Sequence, residues 1–151
     1  GNRYETALAA NPNESLAWLF ASARHAYEDR GEEAMASATM ALSLSPLDPL
    51  RYLYLGFAAN AAVAAGEYST AIDLARKSIK ANCTHSPTFR AMTIAQALSG
   101  QMHEARISAK RMLVIEPSFT MREFRTQYPG AKGKHSQVHF DALEQAGLPK
   151  G

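Results

Sequence analysis

Residues 41–46 read Ala-Leu-Ser-Leu-Ser-Pro, an apolar helix end stopped by a proline, and this short stretch has three relatives in the chain. They are Ala7-Leu-Ala-Ala-Asn-Pro12, Ser78-Ile-Lys-Ala-Asn-Cys83 and Met112-Leu-Val-Ile-Glu-Pro117. Proline lacks the N–H that would continue a helix, so each proline-ended copy marks a stop. Pro12 and Pro46 are 34 residues apart, Pro46 and Cys83 are 37 apart, and Cys83 and Pro117 are again 34 apart. A near-constant period of this length belongs to two-helix units that cannot bury their apolar faces alone and must stack on their neighbours.

The residues between the stops fit that reading. An aromatic opens each first helix, at Trp18, Tyr52 and Phe89. Small residues stand where the second helix crosses the first, at Ala34, Ala71 and Ala105, and again four residues on at Ala38, Ala75 and Ala109. Alanines at i and i+4 share a helix face and let two axes approach closely. Leu55-Gly56 makes a large-small pair in the middle unit, with Ala21-Ser22 and Met92-Thr93 as softer versions. Gly66 and Gly100 stand at first-helix ends, where a positive φ is needed, and Asp29-Arg30-Gly31 takes that place in the first unit. The predicted helices are 3–10, 14–29, 32–45, 49–65, 68–82, 87–99, 102–115, 118–127 and 135–146. The three extra residues of the middle unit are assigned to a lengthened first helix from Pro49 to Ala65. No segment alternates with period two for long enough to form a sheet.

Composition narrows the class further. The 151 residues are 46% hydrophobic and 20% charged, which suits one soluble domain with a real core. A formal charge of +2 is too slight to point to nucleic acid, and no apolar run reaches bilayer-spanning length. The single cysteine, Cys83, excludes an internal disulfide framework and fits a reducing, cytoplasmic setting. The start Gly1-Asn2-Arg3-Tyr4 shows no leader, and a first helix at 3–10 without its partner reads as half a hairpin. The expectation is a piece of a longer protein.

Over residues 4 to 117 the period and the aromatic, alanine and proline positions together resemble the tetratricopeptide-repeat (TPR) family. That resemblance implies an all-α, antiparallel helical-hairpin solenoid with C-terminal capping helices. As one domain over 1–151, it divides into a half hairpin at 3–12, repeats at 14–46, 49–83 and 86–117, and a capping region at 118–151. The tail, Tyr128-Pro129-Gly130 followed by Phe140-Asp-Ala-Leu-Glu-Gln-Ala-Gly-Leu-Pro149, is similar to the ending of TPR regions attached to bacterial class III adenylate or guanylate cyclases. Winged-helix transcription regulators with TPR tails have related endings. The departure is Ala131-Lys-Gly-Lys134, where the cyclase group more often has an acidic helix start.

In the resembling proteins the first helices line a concave surface. The positions matching it here include Leu16, Leu19, Ala23, Tyr27, Leu50, Leu53, Phe57, Asn60, Arg90 and Ile94, and Leu19, Tyr27, Leu53, Phe57, Asn60, Arg90 and Ile94 are taken as the partner-binding groove. The groove is mainly apolar. It suits an amphipathic helix from a partner protein or peptide, from a second copy of this chain, or from the chain's own last helix. The carboxylate clamp of chaperone-tail TPR domains wants Lys and Asn where Leu19 and Ala23 stand, and is rejected.

No catalytic residue, metal or cofactor is assigned. His25 is read as a packed, hydrogen-bonded core histidine. His135 and His139 have the i, i+4 spacing of a metal pair, yet lack the glutamate of the zinc-hydrolase motif and an evident third ligand. Cys83-Thr-His85 puts a thiol near an imidazole without an orienting group. Arg106, Lys110, Arg111, Arg122, Arg125, Lys132 and Lys134 are read as solvated helix surface, with an acidic protein partner ahead of nucleic acid as the functional alternative. The expected function is a protein-interaction and regulatory module, with a small metal-binding protein as the weakest alternative.

Overall fold

The computed structural model describes residues 12–44, 50–131 and 133–151, so the predicted helix at 3–10, the half hairpin at 3–12 as a unit, Pro49 and Lys132 lie outside the described residues. Eight helices occur in it: α1 (Pro12–Tyr27), α2 (Gly31–Leu44), α3 (Arg51–Ala64), α4 (Tyr68–Ala81), α5 (Ser86–Leu98), α6 (Met102–Ile115), α7 (Met121–Gln127) and α8 (Ser136–Gln145). No strand occurs among the described residues, and no helix there is long and apolar enough to cross a membrane. The pairs α1/α2, α3/α4 and α5/α6 form antiparallel hairpins, and each hairpin stacks on the next, with α1 on α3 and α3 on α5. This is the all-α hairpin solenoid expected from the repeat.

The small-residue positions explain why the helices cross where they do. Ala34, Ala71, Ala38 and Ala75 have no exposed surface, and Ala105 and Ala109 are equally enclosed in the last hairpin. Gly56 is required by proximity: a Cβ there would sit 2.6 Å from Thr88 Oγ1, so the missing side chain lets α5 close on α3. Phe89 is 1% exposed at the centre of a core that runs from α3 to α8, and truncating such a ring to Ala costs about 3–5 kcal/mol. Trp18, its counterpart in the first repeat, is 38% exposed.

One expectation changes. The helix α3 runs for 14 residues from Arg51, against 16 in α1 and 13 in α5, so the extra length of the middle repeat is not in a longer helix. The Asp29-Arg30-Gly31 turn is in place, with a positive φ of 60° at Asp29, and Gly31 is already the first residue of α2, where its Cβ would lie 2.5 Å from the Ala64 carbonyl oxygen. Gly66 and Gly100 do take positive φ, at 75° and 82°.

After α6 the pattern stops. The short α7 is capped by Thr120, whose Oγ1 accepts from the Glu123 N–H at 3.2 Å. The chain end returns to the same place, and the Met121 and Arg122 N–H groups donate to the Pro149 and Lys150 carbonyls at 2.7 and 2.9 Å. The helix α8 lies against α5 and is pinned to α7 by the Arg125–Glu144 ion pair at 2.7 Å.

Candidate functional site

The concave side of α1, α3 and α5 holds a partly open cavity of roughly 190 Å³. Its walls come from Tyr27 on α1, Phe57 and Asn60 on α3, and Arg90 and Ile94 on α5. Five of the seven groove positions expected from the sequence therefore meet at one place. Leu19 and Leu53 do not. Leu19 has no exposed surface and packs with Ala41 and Tyr54, while Leu53 leans on the same cluster. The cause is the tight seam between α1 and α3, closed by the buried Ser15 Oγ to Tyr54 Oη hydrogen bond at 2.7 Å, which turns this part of the face into core.

The rest of the wall comes from the C-terminal segment. Tyr128 meets Tyr27 edge-on at 5.3 Å between ring centroids, and Phe124, Tyr128 and Phe140 pack on one another at 5.0 to 6.0 Å. Gly130 passes so close to α1 that a Cβ would lie 3.3 Å from the Tyr27 Cα. Beyond it, Ser136 Oγ donates to the Gly130 carbonyl, and the Lys134 N–H donates to Asp29 Oδ2 at 2.5 Å. The segment thus crosses from α7 to the first hairpin and roofs the cavity. The chain's own last helix occupies one end of the face, so there is no room for a partner helix to lie along its full length.

Arg90 is the charged group at the centre. Its guanidinium carbon lies 4.6 Å from the Phe124 ring centroid, a cation–π arrangement that covers one face of the guanidinium plane. Burial pulls its pKa below the ordinary arginine value against the raising influence of Tyr128, Glu116 and Tyr27. The same burial pushes the Tyr128 hydroxyl up to about 12, helped by Tyr27 and opposed by Arg90. His85 and His139, also on the wall, are both held below the usual histidine value, mainly by burial; the second cause is Arg90 for His85 and His135 for His139.

His85 has an assigned proton. Ser78 Oγ donates to the Tyr52 carbonyl at 2.7 Å, so its contact with Thr88 Oγ1 at 3.1 Å uses the threonine proton. Thr88 Oγ1 must then accept from His85 Nδ1–H at 3.0 Å, which leaves Nε2 as an acceptor. This also disposes of the Cys83/His85 pairing: Cys83 is exposed, and the imidazole is engaged with Thr88 and, edge-on at 5.4 Å, with Tyr52.

The other candidates fall in known places. His25 is packed, but its Nδ1 is buried with no partner, which corrects the expected hydrogen bond. His135 and His139 both reach the cavity wall, and no group of three or more His, Cys, Asp or Glu side chains capable of holding a metal occurs among the described residues. Most of the basic residues are solvated: Arg106, Lys110, Arg111, Arg122 and Lys134 are exposed, with the Arg111 guanidinium 4.8 Å over Phe89, while Arg125 is half-buried 5.2 Å over Phe140. Sequence reasoning missed Phe124, Tyr128, Phe140 and His139 as cavity residues. Their signal was the Tyr128-Pro129-Gly130 turn, too sharp for helix, placed between two aromatic-bearing helical segments.

Solved structures share this fold. A TPR domain of Spaghetti (RPAP3), bound to an HSP90 peptide SRMEEVD, superposes with a TM-score of 0.63 at 14% identity, covering 89% of this chain and 96% of that one. Two structures of MamA superpose with TM-scores of 0.62 at 18% identity, covering 95% of this chain and 82% and 76% of theirs. No protein-family profile and no curated protein sequence matches the chain. The fold is a TPR-like all-α solenoid.

Proposed function

We propose that this chain is a protein-interaction and regulatory module, acting in the cytoplasm and carrying no catalysis of its own. The observation that carries the reading is the convergence of side chains from three successive first helices, Tyr27, Phe57, Asn60, Arg90 and Ile94, on one concave site. A rigid stack that points aromatic, amide and cationic groups into a common space is built to recognise a shape. The helix α8 already lies on α5, which supports a face that accepts helical segments. A partner protein, or a second copy of this chain, takes the part of the face that α8 leaves open. The peptide-bound RPAP3 domain lends the same reading support by analogy of fold alone.

Phe57→Glu tests it. A photo-crosslinking side chain at Ala23, beside Phe57 on the cavity wall, is expected to capture a partner or a second copy, and Phe57→Glu to abolish that capture with helicity unchanged by circular dichroism. Capture that is indifferent to Phe57→Glu removes this face from the account.

The tail resemblance extends the proposal to a parent protein in which this region follows a class III nucleotide cyclase domain and alters how its catalytic halves are held. Cyclic nucleotide formation from ATP and GTP by the full-length parent, compared with the same protein ending before Gly1, decides it. A changed rate supports a regulatory arm. No product from either form, with Mg²⁺ or Mn²⁺ supplied, turns the reading to the effector-sensing tail of a winged-helix regulator.

A further inference from the structure

Arg90 on the cavity wall has no counter-ion among the described residues. Arg90 makes no ion pair and no hydrogen bond with the described residues, where the ion pairs are Arg30–Glu28, Arg76–Asp73 and Arg125–Glu144. The nearest acidic influence, Glu116, is outside ion-pair distance and accepts instead from Ser86 Oγ. Asp29, on the far wall, is engaged by the Lys134 N–H. A partly buried guanidinium with an aromatic ring against one face has lost part of its hydration, and an anion that takes its N–H groups returns it.

We infer that the cavity is a small-molecule site for an organic monocarboxylate with an aromatic or branched apolar body, held by Arg90. This rests on the cavity and not on the partner being a protein. Size sets the body: roughly 190 Å³ is somewhat more than the ~150 Å³ apolar cavity that holds benzene, and well below the space of a peptide helix. The walls agree, since Tyr27, Phe57, Ile94 and Tyr128 supply apolar and ring surface. Charge sets the head group: Arg90 has no ion pair among the described residues, and the carboxylates elsewhere on the walls, Asp29 and Glu116, disfavour phosphate or a dicarboxylate and leave a single negative charge as the most that it can take. The neutral His85 Nε2 and the Asn60 amide add an acceptor and a two-way hydrogen-bonding group for a hydroxyl or amino substituent. Binding there joins α1, α3 and α5 to the roof, which makes the ligand a means of fixing the concave face.

The test is calorimetric titration of the chain with benzoate and phenylacetate, with benzamide as the neutral isostere and an acetylated tetrapeptide ending in leucine, free or amidated, as a second source of carboxylate. Expected is saturable binding of an acid and none of the amide, weakened about tenfold or more by Arg90→Gln. Because the charge is uncompensated, Arg90→Met is expected to leave the melting temperature unchanged or raised, so loss of binding there is not loss of fold. Equal binding of benzoate and benzamide overturns the proposal, as does binding indifferent to Arg90→Gln. Absence of saturable binding by either acid at millimolar concentration overturns it too. Binding of the free-ended tetrapeptide alone makes the cavity a socket for a chain terminus and also overturns it, while leaving the interaction-module reading in place.

Discussion

The three hairpin turns have the same length and solve the same problem in two ways. Between α3 and α4, and between α5 and α6, a glycine takes the left-handed backbone, and nothing lies within 4 Å of where its Cβ would be. Between α1 and α2 the left-handed residue is Asp29, and its carboxylate receives the Lys134 N–H from the other end of the molecule. The glycine turns only reverse the chain. The aspartate turn reverses it with a residue less suited to that φ, and gains an anchor for the segment that roofs the cavity.

The largest effect in breaking this contrast is expected at Gly31, next to the aspartate. Its Cβ would collide with the backbone of Ala64 and Ala65, which cannot turn aside as a side chain can, so Gly31→Ala should cost about 3 kcal/mol by urea unfolding. Asp29→Ala comes next, at about 2 kcal/mol, because it loses a charged acceptor and keeps the unfavourable φ. Asp29→Gly sharpens the point: the turn is relieved while hydrogen exchange at residues 133–136 accelerates. Gly66→Ala and Gly100→Ala should each cost about 1 kcal/mol and leave that exchange unchanged, since those turns anchor nothing.

The smallest effect is on pH. His85 and His139 have folded-state pKa values below 6.5, so the unfolded chain binds protons first as pH falls. Stability is complete above pH 6.5 and declines as pH drops from there through each lowered value, then levels off. His139→Gln should flatten part of that slope in thermal melts taken across the range, and a slope unmoved by both His139→Gln and His85→Gln would remove these two groups as its source.

Repetition made most of the fold legible. Ala34, Ala71 and Ala105 fall in register because every hairpin must solve the same crossing, and a periodic constraint leaves a periodic trace. The groove reading reaches the cavity wall where it follows the repeat, at Tyr27, Phe57, Asn60, Arg90 and Ile94. It failed at Leu19 and Leu53, because period alone does not say how tightly α1 and α3 close and the Ser15–Tyr54 seam is made of residues 39 apart. The Asp29-Arg30-Gly31 turn was legible as a turn, but the close approach of Gly31 to the end of α3 was not, because it joins residues far apart in the chain. Phe124, Tyr128, Phe140 and the roof they form occur once, and a feature that occurs once has no register to betray it.

The hydrogen bond from Lys134 to Asp29 joins residues 105 apart. An open solenoid melts like a one-dimensional lattice, fraying from either end while its middle persists. Here the segment that follows α7 is fastened to the first hairpin, so the two ends of the described stack cannot fray independently. Denaturant should therefore see a single cooperative transition, and cutting the fastening with Asp29→Ala should split or broaden it as well as lower the total stability.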